Sequence, residues 1–159
     1  MASRTLVAVF SASGVTRTVG EAIARVAGAD FHEIVPKEEY TASDLDWMNR
    51  KSRSSVEMNN PAARPEIAGD PLDMAAYDTI FVGFPIWWGV APRIIETFLD
   101  SYDFSGKKII PFCTSGGSGV GHSDTALHKN VSGDVSWAKG RQINRPNEAE
   151  IRRWLDEVL

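Results

Sequence analysis

The chain has one cysteine, Cys113, among its 159 residues. No intramolecular disulfide is possible, so a disulfide scaffold is excluded, and a structural zinc site would need an improbable ligand set. A basic excess is missing too. Lys and Arg number 17 against 21 Asp and Glu, a formal net charge of −4. Nucleic-acid binders carry the opposite balance, because cations make the phosphate contacts, and no nucleic-acid partner is expected. Long apolar runs are absent as well. Leu6 to Phe10 is too short for a secretory core. Thr79 to Ile95, the most apolar stretch, is broken by Gly83, Pro85, Gly89, Pro92 and Arg93. It cannot form an uninterrupted membrane span of ~20 residues. The expectation is a soluble, cytoplasmic protein. What is present is a globular mixture, 43% hydrophobic and 24% charged. The length fits a single domain over residues 1–159, with enough chain to bury a core.

Patterning then predicts alternating strands and helices. Thr5 to Phe10 is apolar at nearly every position, which suits a strand covered on both faces. Val15 to Ala27 places Val19, Ile23 and Val26 at helical spacing and is closed by Gly28. Phe31 to Val35 reads as a second strand, ended by Pro36. Ser43 or Asp44 would cap a helix reaching Met58, with Leu45, Trp47, Met48 and Val56 on it. Asn59, Asn60, Pro61, Pro65, Gly69 and Pro71 then mark a long loop, a feature that is often functional. Thr79 to Phe84 and Lys107 to Cys113 read as strands three and four, separated by a helix that Pro92 starts. His122 to Asn130 predicts a short helix. Val135 to Ala138, extending towards Ile143, predicts a weak fifth strand, and Asn147 caps a last helix carrying Ile151, Trp154, Leu155 and Val158. Such alternation implies right-handed crossovers and a parallel sheet. Ligands of these sheets bind beyond the carboxyl ends of the strands, which singles out the loops after strands one, three and four.

The first of these loops, Ser11-Ala12-Ser13-Gly14-Val15-Thr16, joins a strand to a helix N-terminus. Free amides, the positive dipole end and three hydroxyls favour an anion there, and Gly14 permits a tight turn. An ordinary capped turn is the plainer alternative. Neither a Walker loop nor a dinucleotide fingerprint is present. The second loop, Pro85 to Pro92, contains Trp87 and Trp88, which cannot easily be buried together. One of them would offer a flat face to an aromatic ligand, unless both serve a core or an interface. The third loop, Thr114 to Gly121, supplies amides and little bulk, suited to the polar edge of a planar ring if it is not merely a flexible linker. A serine-hydrolase elbow fails there, because Val120 takes the place of the last glycine.

Together these loops resemble the flavodoxin family over almost the whole chain. In that family the first loop reads roughly T/S-x-T-G-N-T and holds the phosphate of FMN; here Val15 stands where Asn is usual. The P-I-W-W-G-x-x-P stretch of Pro85 to Pro92 resembles a subgroup whose aromatic residues flank the isoalloxazine. The resemblance implies a doubly wound α/β domain of three layers, with helices on both faces of a five-stranded parallel sheet ordered 2-1-3-4-5. It also implies a last strand without the ~20-residue interruption of long-chain members. The implied cofactor is FMN. Ser11, Ser13, Gly14, Val15 and Thr16 would hold its phosphate. Pro85, Ile86, Trp87, Trp88 and Gly89 would flank the ring, and Thr114, Ser115, Gly116, Gly117, Val120 and Gly121 would line its edge. Arg17 would either add charge to the phosphate site or face solvent, the commoner position for such a residue.

Two functions share that cofactor. One is an electron carrier between redox proteins. Seven acids (Glu66, Asp70, Asp73, Asp78, Glu96, Asp100, Asp103) against Arg93 alone suggest an acidic face near the flavin that would find basic partners. The other is an FMN-dependent NAD(P)H oxidoreductase reducing a small acceptor such as a quinone. The tryptophans and the long loop would then partly cover a substrate. A partner-binding module without flavin is disfavoured by the intact first loop. Cys113 reads as a small buried hydrophobe, His122 as a polar helix start, and Arg53, Glu57, Arg64 and Glu66 as a solvated face rather than ties that fix a lid. A monomer and a homodimer are both compatible with the sequence.

Overall fold

The computed structural model describes residues 4–11, 14–46, 48–60, 62–69, 72–86, 91–114, 127, 131, 134–138 and 140–159. Within them the alternating pattern becomes strands β1 (Thr5–Val9), β2 (Asp30–Glu33), β3 (Thr79–Pro85) and β4 (Lys108–Thr114), then two short pieces, β5 (Ser136–Trp137) and β6 (Arg141–Gln142). The helices are α1 (Val15–Ala27), α2 (Arg53–Met58), α3 (Arg93–Asp100) and α4 (Glu148–Val158). A 3-10 turn at Met74–Ala76 leads into β3.

The strands are parallel and ordered β2-β1-β3-β4-β5, with β6 also paired to β4. This is the expected doubly wound sheet. Each central strand is apolar on both sides, so the sheet separates two cores. Val7, Val9, Phe81, Ile110 and Phe112 meet α1 and α4 on one face, where Trp154 packs edge-on against Phe81. Leu6, Ala8, Ile80, Val82 and Ile109 meet α3 on the other, along with Met74 and Phe104. Cys113 is fully buried in this second core, as its apolar reading predicts.

Close approach at the centre of the sheet requires Gly83. A Cβ built there would lie 2.2 Å from the Phe112 ring on the neighbouring strand. The Phe112 ring lies across β3 because nothing projects from it at that point.

The fifth strand departs from expectation, because it is split. Lys108 and Ile109 pair with Ser136 and Trp137, whereas Phe112 and Cys113 pair with Arg141 and Gln142. The offset grows by one residue between the two ladders. Pro111 explains the break. Lys107, Ile109 and Cys113 turn their carbonyls to the edge pieces, accepting from Ser136, Ala138 and Ile143. Pro111 shares that parity but has no N–H to give, so the ladder cannot continue through it.

The helix expected from Ser43 or Asp44 is also shorter than the pattern suggests. Among the described residues there, which do not include Trp47, only Arg53–Met58 is helical, with Ser52 as its N-cap. Upstream, short polar side chains capture backbone amides instead. Asp44 accepts from the Thr41 amide, Asp46 from Met48 and Asn49 from Lys51. These local bonds compete with helix propagation. Met48 and Val56 are left 77% and 55% exposed rather than packed inward. The excursion is closed at its base, where Lys37 donates to the Glu66 carbonyl and Ala68 to that of Val35. Of the helix expected over His122 to Asn130, only Leu127 is among the described residues; it is helical and buried.

Candidate functional site

A crevice forms in such a sheet where successive crossovers leave on opposite faces. Here β1 is followed by α1 on one face, and β3 by α3 on the other. The crevice therefore lies at the carboxyl ends of β1 and β3, with the end of β4 beside them.

The first loop ends at Gly14, the N-cap of α1, in a left-handed conformation with φ 93°. A side chain there would be strained, and an added Cβ would meet nothing within 4 Å. The turn is fixed on both sides. Ser11 Oγ accepts from the Gly14 amide at 2.9 Å, while the Thr18 amide and hydroxyl both donate to the Gly14 carbonyl. The amides of Val15, Thr16 and Arg17 precede any helical acceptor and have none among the described residues. No acidic residue occupies the first turn. A helix start of this kind attracts an anion through its amides and its dipole. Val15, exposed at 46%, leaves the opening apolar but uncharged. Arg17 does not turn towards the opening. Its guanidinium pairs with Glu21 at 2.9 Å and Glu33 at 3.7 Å, and the Glu21 hydrogen bond, ahead of the nearby carboxylate charges, raises its pKa.

The three loop bases meet at Thr114. Pro85 and Thr114 are register partners at the ends of β3 and β4. The Ile86 amide, opening the second loop, donates to the Thr114 carbonyl at 3.1 Å. The Thr114 hydroxyl lies 2.8 Å from that of Thr16 in the first turn of α1. Both threonines are buried, at 1% and 6% exposure for Thr16 and Thr114. Ser11, Gly14, Val15, Thr16, Pro85, Ile86 and Thr114 are thus brought to one end of the sheet. Ser13, Trp87, Trp88, Gly89, Ser115, Gly116, Gly117, Val120 and Gly121, and also His122, lie outside the described residues.

The segment between β2 and β3 is tied to this end by charged groups that read, in the sequence alone, as a solvated face. That expectation is corrected for Arg53, Glu57 and Arg64, whereas Glu66 does stay solvated, at 74% side-chain exposure. Arg53 bonds Glu57 at 3.0 Å and the Glu38 carbonyl at 2.7 Å, and its guanidinium lies 3.9 Å from the Tyr40 ring centroid. The Tyr40 hydroxyl donates to Glu57, and its ring stands edge-on to Phe10 just beyond β1. Burial, then the Glu57 hydrogen bond, raises the Tyr40 pKa far above the ordinary phenol range. Arg93, the first residue of α3, donates to the Glu57 and Met58 carbonyls and pairs with Glu96 at 2.6 Å. It fastens the end of α2 to the start of α3, directly after the second loop. Arg64 bonds Glu96 and Asp100, while Glu66 pairs with Lys37 instead. A cleft of about 160 Å³ opens beside Ser11 and Tyr40, with Glu33 and Pro36 in its lining. Tyr40 and Arg93 escape the sequence reading. The one available signal is that Arg93 is a lone base in an acidic stretch.

The acidic face is corrected as well. Asp78 hydrogen-bonds at the amino ends of β3 and β4, away from the crevice. Asp103 lies beyond α3 at that same end, its carboxylate on the Ser105 amide. Glu96 and Asp100 are neutralised by Arg64 and Arg93. Asp70 is outside the described residues. Among the described residues, no helix is long and apolar enough to cross a membrane.

A doubly wound sheet with an anion-ready first loop and two more loops at its switch point defines a class of α/β ligand-binding domains. The comparisons narrow it. The family model for flavodoxin matches residues 4–158, and the chain belongs to that family. Two solved structures, provisionally named flavoproteins from Bacteroides eggerthii and Bacteroides uniformis, are 47% and 44% identical. The first match covers 99% of this chain and 98% of the other, the second 98% and 99%, each with a TM-score of 0.93. A flavoprotein from Lactobacillus acidophilus, solved in complex with FMN, is 23% identical, covers 97% of this chain and 99% of its own, and has a TM-score of 0.71. No curated protein sequence matches the chain.

Proposed function

We propose that this chain binds FMN at the ends of β1, β3 and β4, and uses it as an oxidoreductase acting on a small acceptor such as a quinone. The observation that carries the cofactor reading is the start of α1. Three amides without acceptors, a left-handed glycine and no acid in the first turn fit a phosphate monoester. Family membership and the FMN bound by the Lactobacillus relative support the same choice. When bound, FMN supplies one- or two-electron redox chemistry. The chain's own part is to hold the phosphate through Ser11, Ser13, Gly14, Val15 and Thr16, largely with neutral donors, and to orient the ring by the second and third loops.

The small-acceptor reading rests on the segment between β2 and β3. Arg53, Tyr40 and Arg93 fasten it against the site end, where Tyr40 and Ser11 share the lining of one cleft. A carrier for protein partners is the second reading, favoured by the net charge of −4. Its local acidic face is weakened, because Glu66, Glu96 and Asp100 are paired and Asp78 and Asp103 lie at the other end of the sheet.

The test has two stages. Added FMN should co-purify with the protein, lose most of its fluorescence and raise the melting temperature. At one hundred times its Kd a ligand adds about 2.7 kcal/mol to stability. Absence of all three effects would remove the cofactor reading. Stopped-flow mixing of the loaded protein with NAD(P)H then separates the functions. Rapid reduction followed by reoxidation with a small quinone is expected, and inertness to NAD(P)H would favour the carrier.

A further inference from the structure

Thr114 makes two bonds that point in different directions from one residue. Its carbonyl accepts from Ile86, at the root of the second loop, and its hydroxyl meets that of Thr16, in the first turn of α1. It is also the last residue of β4, so the third loop begins at its own carbonyl carbon. All three loops of the crevice are therefore joined through this one buried residue.

The hydroxyl pair has a proton count that matters. Each threonine brings one O–H and two lone pairs. Only one of the two protons can lie between the oxygens. Leaving either oxygen without a partner in a buried place is costly, because its desolvation is not returned. The side chain of Thr16 is thus held against β4, and the Thr16 amide is held at the mouth of α1 beside those of Val15 and Arg17.

We propose that Thr114 is a positioning residue for phosphate recognition. Its hydroxyl fixes the first turn of α1 so that the amides converge on one anion, and its carbonyl couples that turn to the root of the ring-flanking loop. The proposal rests on the FMN reading and deepens it. Removing the hydroxyl loosens the phosphate cradle and leaves the Ile86 bond intact, since that bond uses the main chain. The loss falls on the phosphate-bearing flavin and not on the ring.

The experiment compares FMN with riboflavin, which has the ring and ribityl chain but no phosphate. Affinities are measured by fluorescence titration for the wild type and for Thr114→Val, Thr114→Ser and Thr16→Val/Thr114→Val, with melting temperatures alongside. Thr114→Val should lose about tenfold in FMN affinity and less than twofold in riboflavin affinity. Thr114→Ser should restore the preference for FMN. The double valine variant replaces both hydroxyls by methyls, so it should melt close to the wild type. It should nevertheless keep the weakened FMN preference. Equal losses for FMN and riboflavin would overturn the proposal and make Thr114 a purely structural residue. So would full recovery of FMN affinity in the double variant. A wild type that binds FMN no better than riboflavin would overturn it too. A wild type that binds neither flavin would overturn the cofactor reading as well, an outcome visible before any variant is made.

Discussion

At the start of α1, one exposed side chain separates helix stability from anion binding. Val15 is the first helical residue and projects into solvent. An aspartate there adds a negative charge at the positive end of the helix, which favours the free protein by roughly 0.3–1 kcal/mol. The same carboxylate repels a phosphate. Val15→Asp should therefore leave the melting temperature of the free protein unchanged or slightly higher, while FMN titration shows a sharp loss of affinity. Parallel losses in stability and binding would mean that Val15 acts through folding alone. Gly83 makes the opposite kind of case. Adding a methyl at Gly83 drives it into the Phe112 ring. Gly83→Ala should cost about 1–3 kcal/mol in urea unfolding, as core overpacking does, and Phe112→Leu in the same chain should recover part of it. The two residues differ in how legible they are. The role of Gly14 and Val15 follows from a strand, a small-polar loop and a helix in succession, all local in sequence. That Phe112 lies over Gly83 depends on the pairing of two strands, so Gly83 reads in the sequence only as an interruption of an apolar run.

Helices and strands set by a single strong period are the elements that the chain announces. α1 begins and ends where its spacing and Gly28 put it, and Asn147 caps α4 by accepting from the Glu150 amide as expected. The segment before α2 fails for a physical reason. Apolar residues recur at helical spacing, but Asp44, Asp46 and Asn49 bind nearby amides and win locally. Its position is then decided by long-range ties that no period encodes, above all Tyr40 to Glu57 and Arg93 to the end of α2. The Tyr40 bond gives this element a pH signature. Burial and Glu57 raise the folded-state pKa of Tyr40 well above that of an unfolded tyrosine, near 10. Its contribution is fully present below about pH 10 and is lost as pH rises further, because only the unfolded chain releases the proton there. Tyr40→Phe should be less stable than the wild type by roughly 1–3 kcal/mol at pH 8. The gap should narrow above about pH 10. Urea unfolding at the two pH values checks it, and a gap that is constant or widening would detach Tyr40 from Glu57.

The whole molecule decides what a count of charges means. Along the chain, seven acids between Glu66 and Asp103 face one base, which reads as a patch. Folding divides them. α3 runs from the crevice end of the sheet to the other end, carrying Glu96 at its start and Asp100 at its close, while Asp78 and Asp103 lie at the amino ends of the strands. Arg64, outside the counted stretch by two residues, crosses to both Glu96 and Asp100. Linear charge density cannot anticipate this, because it does not know which residues a crossover carries away from the site. The consequence is kinetic. A carrier steered to a basic partner by a concentrated acidic face loses association rate steeply as salt rises, since exposed charges are screened beyond ~8 Å at physiological ionic strength. An uncharged small acceptor entering the crevice feels little of that field. The reoxidation rate of the FMN-loaded, reduced protein by a neutral quinone should therefore change by less than about twofold between 0.01 and 0.15 M ionic strength. Electron transfer to a strongly basic haem protein should be slow at both salt concentrations, because Glu66, Glu96 and Asp100 are paired with Lys37, Arg64 and Arg93, while Asp78 and Asp103 lie at the other end of the sheet. Fast transfer to the basic protein at low salt, collapsing at 0.15 M, would return the molecule to the carrier class and show that charges other than those seven form its docking face.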